Sequence, residues 1–268
     1  NNVKLSAAAC NGVVLNTGDV FSYNATTGQR TTAKGYQAAP AYVGGETVDE
    51  VGGGVCQTSS TIYYACLRAN LEITERYAHR YVPAYIDWGM DATVSWGGPD
   101  YKFTNNTDYP IKIVATYSGG YLTVKILGTN VDGTYVKMTN EVLSKTNWET
   151  VYKDDETLPA GTEKVTTTPY TGYKVKSYRN VYSADGKLIS STYEATSDYK
   201  VRNKVISRGP ALPEQPETPV TGPAETPVET PTQTPEETAP STTTPETSTL
   251  DPSQEQTQTP AQETPSEP

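Results

Sequence analysis

The 268-residue chain has a single histidine, His79, and three cysteines, Cys10, Cys56 and Cys66. A four-ligand zinc site cannot be assembled from so few, widely separated donors, so no metal is expected. Phenylalanine and methionine are scarce, two of each, against 20 tyrosines. That balance predicts amphipathic aromatic surfaces more than an oily core. No apolar run reaches the roughly 18–20 residues that cross a bilayer, so no membrane span is expected. A basic excess is missing too. Residues 210–268 contain no Lys, Arg or aromatic residue, but hold 14 of the 20 prolines and 11 of the 31 acidic residues. The other 20 acidic residues stand against all 21 basic ones, so the net charge of −10 belongs to that end and 1–209 is close to neutral. Without a basic stripe to neutralise phosphates, nucleic acid is not an expected partner.

The 210–268 segment is built of Pro-Glu-Thr repeats. It has almost no apolar side chains to offset the entropy of ordering, which predicts a disordered, stiff, like-charged spacer. Tails of this composition are common on exported proteins. Asn1–Ser6 carries no charged start followed by an apolar core. An exported form is therefore expected to have its leader or anchor upstream.

Within 1–209 the pattern is α+β followed by all-β. Val3–Cys10 reads as a short helix stopped by Asn11-Gly12, and Cys56–Ala69 as a second one stopped by Asn70. In the second, Ile62, Ala65, Cys66 and Ala69 fall at helical spacing. Ile111/Ile113/Ala115 and Leu122/Val124/Ile126 alternate with period two around Gly119-Gly120, which predicts a hairpin. A second turn, Ala184-Asp185-Gly186, divides Tyr173–Tyr182 from Leu188–Tyr193. The boundaries predicted are a mixed domain of short helices on a β-sheet over 1–131, a small β module over 132–209, and the tail over 210–268.

One stretch differs in kind: Gly52-Gly53-Gly54-Val55-Cys56-Gln57-Thr58-Ser59-Ser60. Three glycines let the backbone turn tightly before a helix that begins at the cysteine. A thiol there feels the positive end of the helix dipole, which favours the nucleophilic thiolate. Free N–H groups at Cys56 and Gln57 are the expected oxyanion donors. The alternative is a cysteine that only begins a helix. Cys56 and Cys66 are separated by roughly 15 Å along one helix, too far for a disulfide. Cys10 and Cys66, both on apolar faces, are expected to meet as thiols or as a disulfide, leaving Cys56 as the odd thiol. His79 is the only imidazole able to take its proton. Asp91 is the first choice to orient His79, ahead of Asp87 and of Asn105 or Asn106.

The motifs Gly18-Asp19-Val20-Phe21-Ser22-Tyr23-Asn24, Gly35-Tyr36, Gly52–Ser60, Glu75-Arg76 with His79, Val82-Pro83, Gly89–Val94 and Lys102–Thr107 occur in that order. On them, residues 1 to about 128 resemble the VanW domain. Residues from about 138 to 209 are similar to the G-five β module, through Gly161, Gly172-Tyr173, Tyr178-Arg179 and Val201–Arg208. The resemblance implies a peptidoglycan L,D-transpeptidase that works through a cysteine acyl-enzyme without a cofactor. Cys56 would be the nucleophile and His79 its base. Peptidoglycan stem peptides would be the partners of a monomer at the cell wall or cell surface. Arg76 would pair with a stem-peptide carboxylate, with a structural ion pair as its alternative. Gln57, Ser59 and Tyr63 would contact substrate. Arg80 departs from the small polar residue usual after the histidine. A cysteine peptidase or amidase of stem peptides, and a non-catalytic wall-binding module, are the competing readings. The β module is expected to be a spacer or wall adhesin without catalytic residues.

Overall fold

The computed structural model describes residues 1–43 and 46–212. The expectation of a disordered tail falls, from residue 213 on, outside the described residues.

Helix α1 (Asn2–Cys10) ends where Asn11 turns extended and Gly12 takes φ 88°. Two short strands, β1 (Val14–Leu15) and β2 (Val20–Ser22), lead into a one-turn helix, α2 (Tyr23–Thr27), which the sequence did not announce. Its N-cap is Ser22, whose hydroxyl accepts from the Ala25 N–H at 3.0 Å. The strands β3 (Ala38–Val43) and β4 (Glu46–Val51) pair antiparallel and deliver the chain to the three glycines. Helix α3 (Cys56–Arg68) follows and stops at Asn70, which adopts the left-handed φ of 56°. After β5 (Glu72–Glu75) comes a long stretch without helix or strand, up to β6 (Lys102–Thr104). Then β7 (Ile111–Ser118) and β8 (Tyr121–Leu127) form the expected hairpin, with Ser118 opposite Tyr121 across Gly119-Gly120.

Six more strands follow: β9 (Tyr135–Thr146), β10 (Thr150–Asp154), β11 (Glu163–Thr167), β12 (Gly172–Tyr182), β13 (Leu188–Tyr199) and β14 (Lys204–Arg208). Two three-stranded sheets result, in the orders β13-β12-β9 and β10-β14-β11. The strands before them form sheets β1-β7-β8 and β2-β6-β5 besides the β3-β4 pair. The molecule is therefore mostly β with a few short helices, more strand-rich than the α+β expectation for its first part. The β module after it is as expected.

Helices α1 and α3 pack on the β1-β7-β8 sheet, and the core lies between them. Cys10 and Cys66 are both fully buried there and remain thiols. The core also corrects the aromatic expectation. Tyr23, Tyr63, Tyr101 and Tyr199 are as deeply buried as Phe21 and Phe103, each 2% exposed or less. Tyrosine takes the place of phenylalanine inside as well as at the surface, each buried ring contributing on the order of 1.5–3 kcal/mol. Phe21 and Phe103 lie 5.1 Å apart across β2-β6, and Tyr101 meets Tyr63 edge-on at 5.6 Å.

Candidate active site

The position of Cys56 is set by the glycines before it. Gly52 and Gly54 take φ of 93° and 88°, open to glycine at no steric cost. Gly53 passes so close to β3 that a Cβ would sit 2.1 Å from the Ala39 carbonyl oxygen. Asn2 of α1 donates to the Gly53 carbonyl at 2.9 Å, and the buried Tyr23 hydroxyl donates to the Val55 carbonyl at 3.1 Å. Ser6 and Thr58 share a buried hydrogen bond of 2.7 Å. The start of α3 is thus clamped from three sides, and the half-buried Cys56 has little freedom to move.

The stretch between β5 and β6 supplies the other half of the site. Ser59 and Ser60 of α3 hold it, Ser59 donating to the Ala92 carbonyl at 2.7 Å and Ser60 accepting from the Ala92 N–H at 3.0 Å. That brings Thr93 and Val94 to the thiol. The Val94 N–H donates to Cys56 Sγ at 3.4 Å, and the Thr93 hydroxyl lies 3.7 Å from it. The His79 imidazole lies close enough for its charge to act on the same sulfur. Its Nδ1 meets Asp91 Oδ2 at 2.7 Å, and its backbone N–H donates to that oxygen at 2.7 Å. With Nδ1 committed to Asp91, Nε2 is the nitrogen left to face the thiol. The exposed Tyr85 places its hydroxyl 3.3 Å from Nε2, its ring edge-on to the imidazole.

The electrostatics follow from these contacts. Burial pushes the Cys56 thiol up, but the hydrogen bond and charge of His79, with Val94 and Thr93, outweigh it and the thiol is lowered. Burial pushes His79 down, and its bonds to Asp91 and Cys56 outweigh that, raising it to about 9. Asp91 is fully buried, and His79, Arg76 and Tyr199 hold it well below the usual carboxylate range against the cost of burial. Both shifts run toward thiolate and imidazolium side by side, the charge state of an activated nucleophile. Cys10 and Cys66 contrast with it: burial pushes both up to about 12.

Cys56, His79 and Asp91 are therefore brought together. Asp87 stays at the exposed surface, Asn105 is buried holding the Leu15 and Tyr109 carbonyls, and Asn106 accepts from the Glu72 N–H. Four expectations need correction. Arg76 is spent on Asp91: Nη2 is 2.9 Å from Oδ1, Nε donates to the Asp91 carbonyl at 2.6 Å, and the side chain is 6% exposed. Its ion-pair alternative is the arrangement present. Ser59 is fully buried and occupied with the Ala92 and Cys56 carbonyls. Tyr63 is fully buried with the Arg76 guanidinium 5.3 Å above its ring, so it underlies the site and cannot line it. The Gln57 N–H donates to the Gly54 carbonyl at 3.1 Å and is not a free oxyanion donor. The Gln57 side chain is half-buried in the first turn of α3. Arg80 lies exposed, its guanidinium 5.8 Å from the Tyr81 ring centre.

Thr93 and Val94 were missed although they sit within the Gly89–Val94 motif; nothing in the spacing says that their polar atoms turn to sulfur. Tyr85 carried no signal. Nor did Tyr199 of β13, whose hydroxyl donates to Asp91 Oδ1 and accepts from the Gly89 N–H at 2.8 Å.

Comparison with known families accounts for this architecture. Residues 1–127 match the family described as VanW like protein, and residues 120–211 match the G5 domain. The chain carries a VanW-like domain followed by a G5 domain. Among curated relatives, YoaR of Bacillus subtilis is 44% identical over 131 residues, covering 49% of this chain and 43% of that protein. The vancomycin B-type resistance protein VanW of Enterococcus faecalis is 30% identical over 120 residues, covering 43% of this chain and 44% of that one. The chain thus spans less than half the length of these relatives. Among solved structures, the IgA1 protease G5 domain overlaps 31% of this chain and 98% of its own, at 17% identity and a TM-score of 0.21. That likeness is too slight to carry an argument. The Cys56–His79–Asp91 set lies wholly in the VanW-like domain, and Tyr199 lies in the G5 domain.

Proposed function

We propose that the protein is a cell-wall cysteine acyltransferase, a peptidoglycan L,D-transpeptidase. The observation that carries the reading is the convergence of Cys56 and His79 with the buried Asp91, His79 Nδ1 lying 2.7 Å from Asp91 Oδ2, with the thiol lowered and the imidazole raised. The VanW-like and G5 domains support the wall as its setting. In this mechanism the Cys56 thiolate attacks the carbonyl carbon at the L-centre of diaminopimelate in a donor tetrapeptide. The His79 imidazolium passes its proton to the departing amine of the terminal D-Ala, and a thioester remains. The side-chain amine of a second stem's diaminopimelate then attacks the thioester, and its proton returns to His79 as the Cys56 thiolate leaves. Asp91 keeps the imidazole in one tautomer and orientation through both steps. The product is a cross-link between two diaminopimelate residues.

Intact-mass spectrometry tests this on the wild type and Cys56→Ala after incubation with disaccharide-tetrapeptide. The expected result is a transient adduct on the wild type alone, plus a dimer lacking one D-Ala. Shortened monomers without dimer would make the enzyme a hydrolase instead. Bound substrate without adduct or product would make it a wall-binding module.

A further inference from the structure

The G5 domain would be dispensable for chemistry if it were only a spacer, yet its strand β13 reaches the back of the triad. Burial along β13 alternates at its end, placing Ser197 and Tyr199 on one inward face. The Ser197 hydroxyl accepts from Arg76 Nη2 at 3.0 Å. Tyr199, 1% exposed, accepts from the Gly89 N–H, so its own proton is left to point at Asp91 Oδ1. Each Asp91 oxygen is thereby saturated, Oδ2 by the two His79 donors and Oδ1 by Arg76 and Tyr199. The loop carrying His79 and Asp91 is docked on the same domain. Lys200 N–H donates to the Arg80 carbonyl at 2.7 Å, Asn140 donates to the Trp88 carbonyl at 3.1 Å, and the Trp88 ring packs tilted against Tyr173 with centroids 4.4 Å apart. Arg179 of β12 donates to the Leu71 carbonyl at 2.8 Å.

We propose that Tyr199 is a positioning residue of the Cys56–His79–Asp91 site, so that the G5 domain is part of the reactive unit and not a spacer. This rests on the reading of Cys56 as an activated thiol, and not on what accepts the acyl group. The charged and titratable groups around Asp91 and His79 are Cys56 and Tyr63 from α3, Arg76 and Tyr85 from the loop, and Tyr199 from β13. The Arg179–Glu194 pair, 2.8 Å apart, lies beyond Tyr63. Of these, Tyr199 and Arg76 share Oδ1. Removing the Tyr199 hydroxyl leaves more negative charge on Asp91 for the imidazolium to balance, and His79 titrates higher. Removing Ser197's acceptor leaves Arg76 turned more fully to Asp91, and His79 titrates lower.

The test measures alkylation of Cys56 by iodoacetate in the full chain, by intact mass, across pH. The rate rises as the thiolate–imidazolium pair forms and falls as His79 loses its proton, because the anionic reagent is drawn to the imidazolium. In Tyr199→Phe the basic limb is expected to move up by roughly half a pH unit, and in Ser197→Ala to move down. Tyr193→Phe on the same strand, an exposed ring whose hydroxyl meets Thr196, should leave both limbs in place. A general loosening of the domain interface would move both variants the same way and overturn the assignment. A Tyr199→Phe profile identical to the wild type would overturn it too. Should Tyr199→Phe fail to fold, the Ser197→Ala limb decides: a downward shift with an unchanged unfolding midpoint supports the proposal, and an unmoved limb, or a shift that comes with a lowered midpoint, overturns it. Because the reagent is not a substrate, a protein without transpeptidase activity still gives the answer.

Discussion

Asp91→Asn is the most informative single perturbation of this protein. The carboxylate accepts from four donors: the His79 N–H and Nδ1, Arg76 Nη2 and the Tyr199 hydroxyl. An amide has only one oxygen. Whichever way it is flipped, its NH2 faces one of the two donor pairs, and the Arg76 guanidinium is left 6% exposed without a counter-charge. Breaking one side of a buried ion pair costs about 3–5 kcal/mol, which sets the expected loss of stability. His79 is raised from 6.5 to about 9, and its bond to Asp91 is the largest of the causes that raise it. That difference corresponds to about 3 kcal/mol in favour of the imidazolium. Without Asp91 the burial of His79 works unopposed on that side, so the imidazolium is lost at lower pH. Urea unfolding followed by tryptophan fluorescence measures the first effect, and the pH profile of iodoacetate alkylation the second. A variant within about 1 kcal/mol of wild type, with the basic limb still near the wild-type position, would refute the reasoning.

The three thiols should separate cleanly in a titration with a chromogenic disulfide at pH 8. Cys56 is expected to react within the folded protein, whereas Cys10 and Cys66, fully buried and pushed up to about 12, should react only in denaturant. More than one fast thiol in the native protein would contradict the burial described. Gly53→Ala should destabilise the protein by about 1–3 kcal/mol or more, since its Cβ meets backbone at 2.1 Å and no flexible side chain can give way. It should also slow Cys56 alkylation by displacing the start of α3. A Gly53→Ala protein with wild-type midpoint and alkylation rate would show that β3 can shift freely.

Much of the fold was legible because it rests on local rules. The helix stops at Asn11-Gly12 and Asn70, the Gly119-Gly120 hairpin and the period-two strands around it need only neighbouring residues to be read. The hairpin β3-β4 and the one-turn α2 were not legible. Helix α2 leans on a distant partner, the Asp100 carboxylate that accepts from the Asn24 N–H at 2.8 Å. Residues 213–268 lie outside the described residues, so the composition argument for them stands alone.

The candidate site divides along the same line. By itself the sequence determined that one cysteine follows three glycines at a helix start and that one histidine exists to serve it, because composition leaves no other pairing. It also placed Asp91 first among the orienting groups. Only the tertiary structure decided what Arg76, Ser59 and Tyr63 do, since a side chain that can bind substrate can equally be spent inside the protein. Arg76 and Asp91 are 15 positions apart and Tyr199 is 108 beyond Asp91. Polar satisfaction of a buried carboxylate is a property of everything that closes around it, and β13 closes around Asp91 only once the two domains are docked.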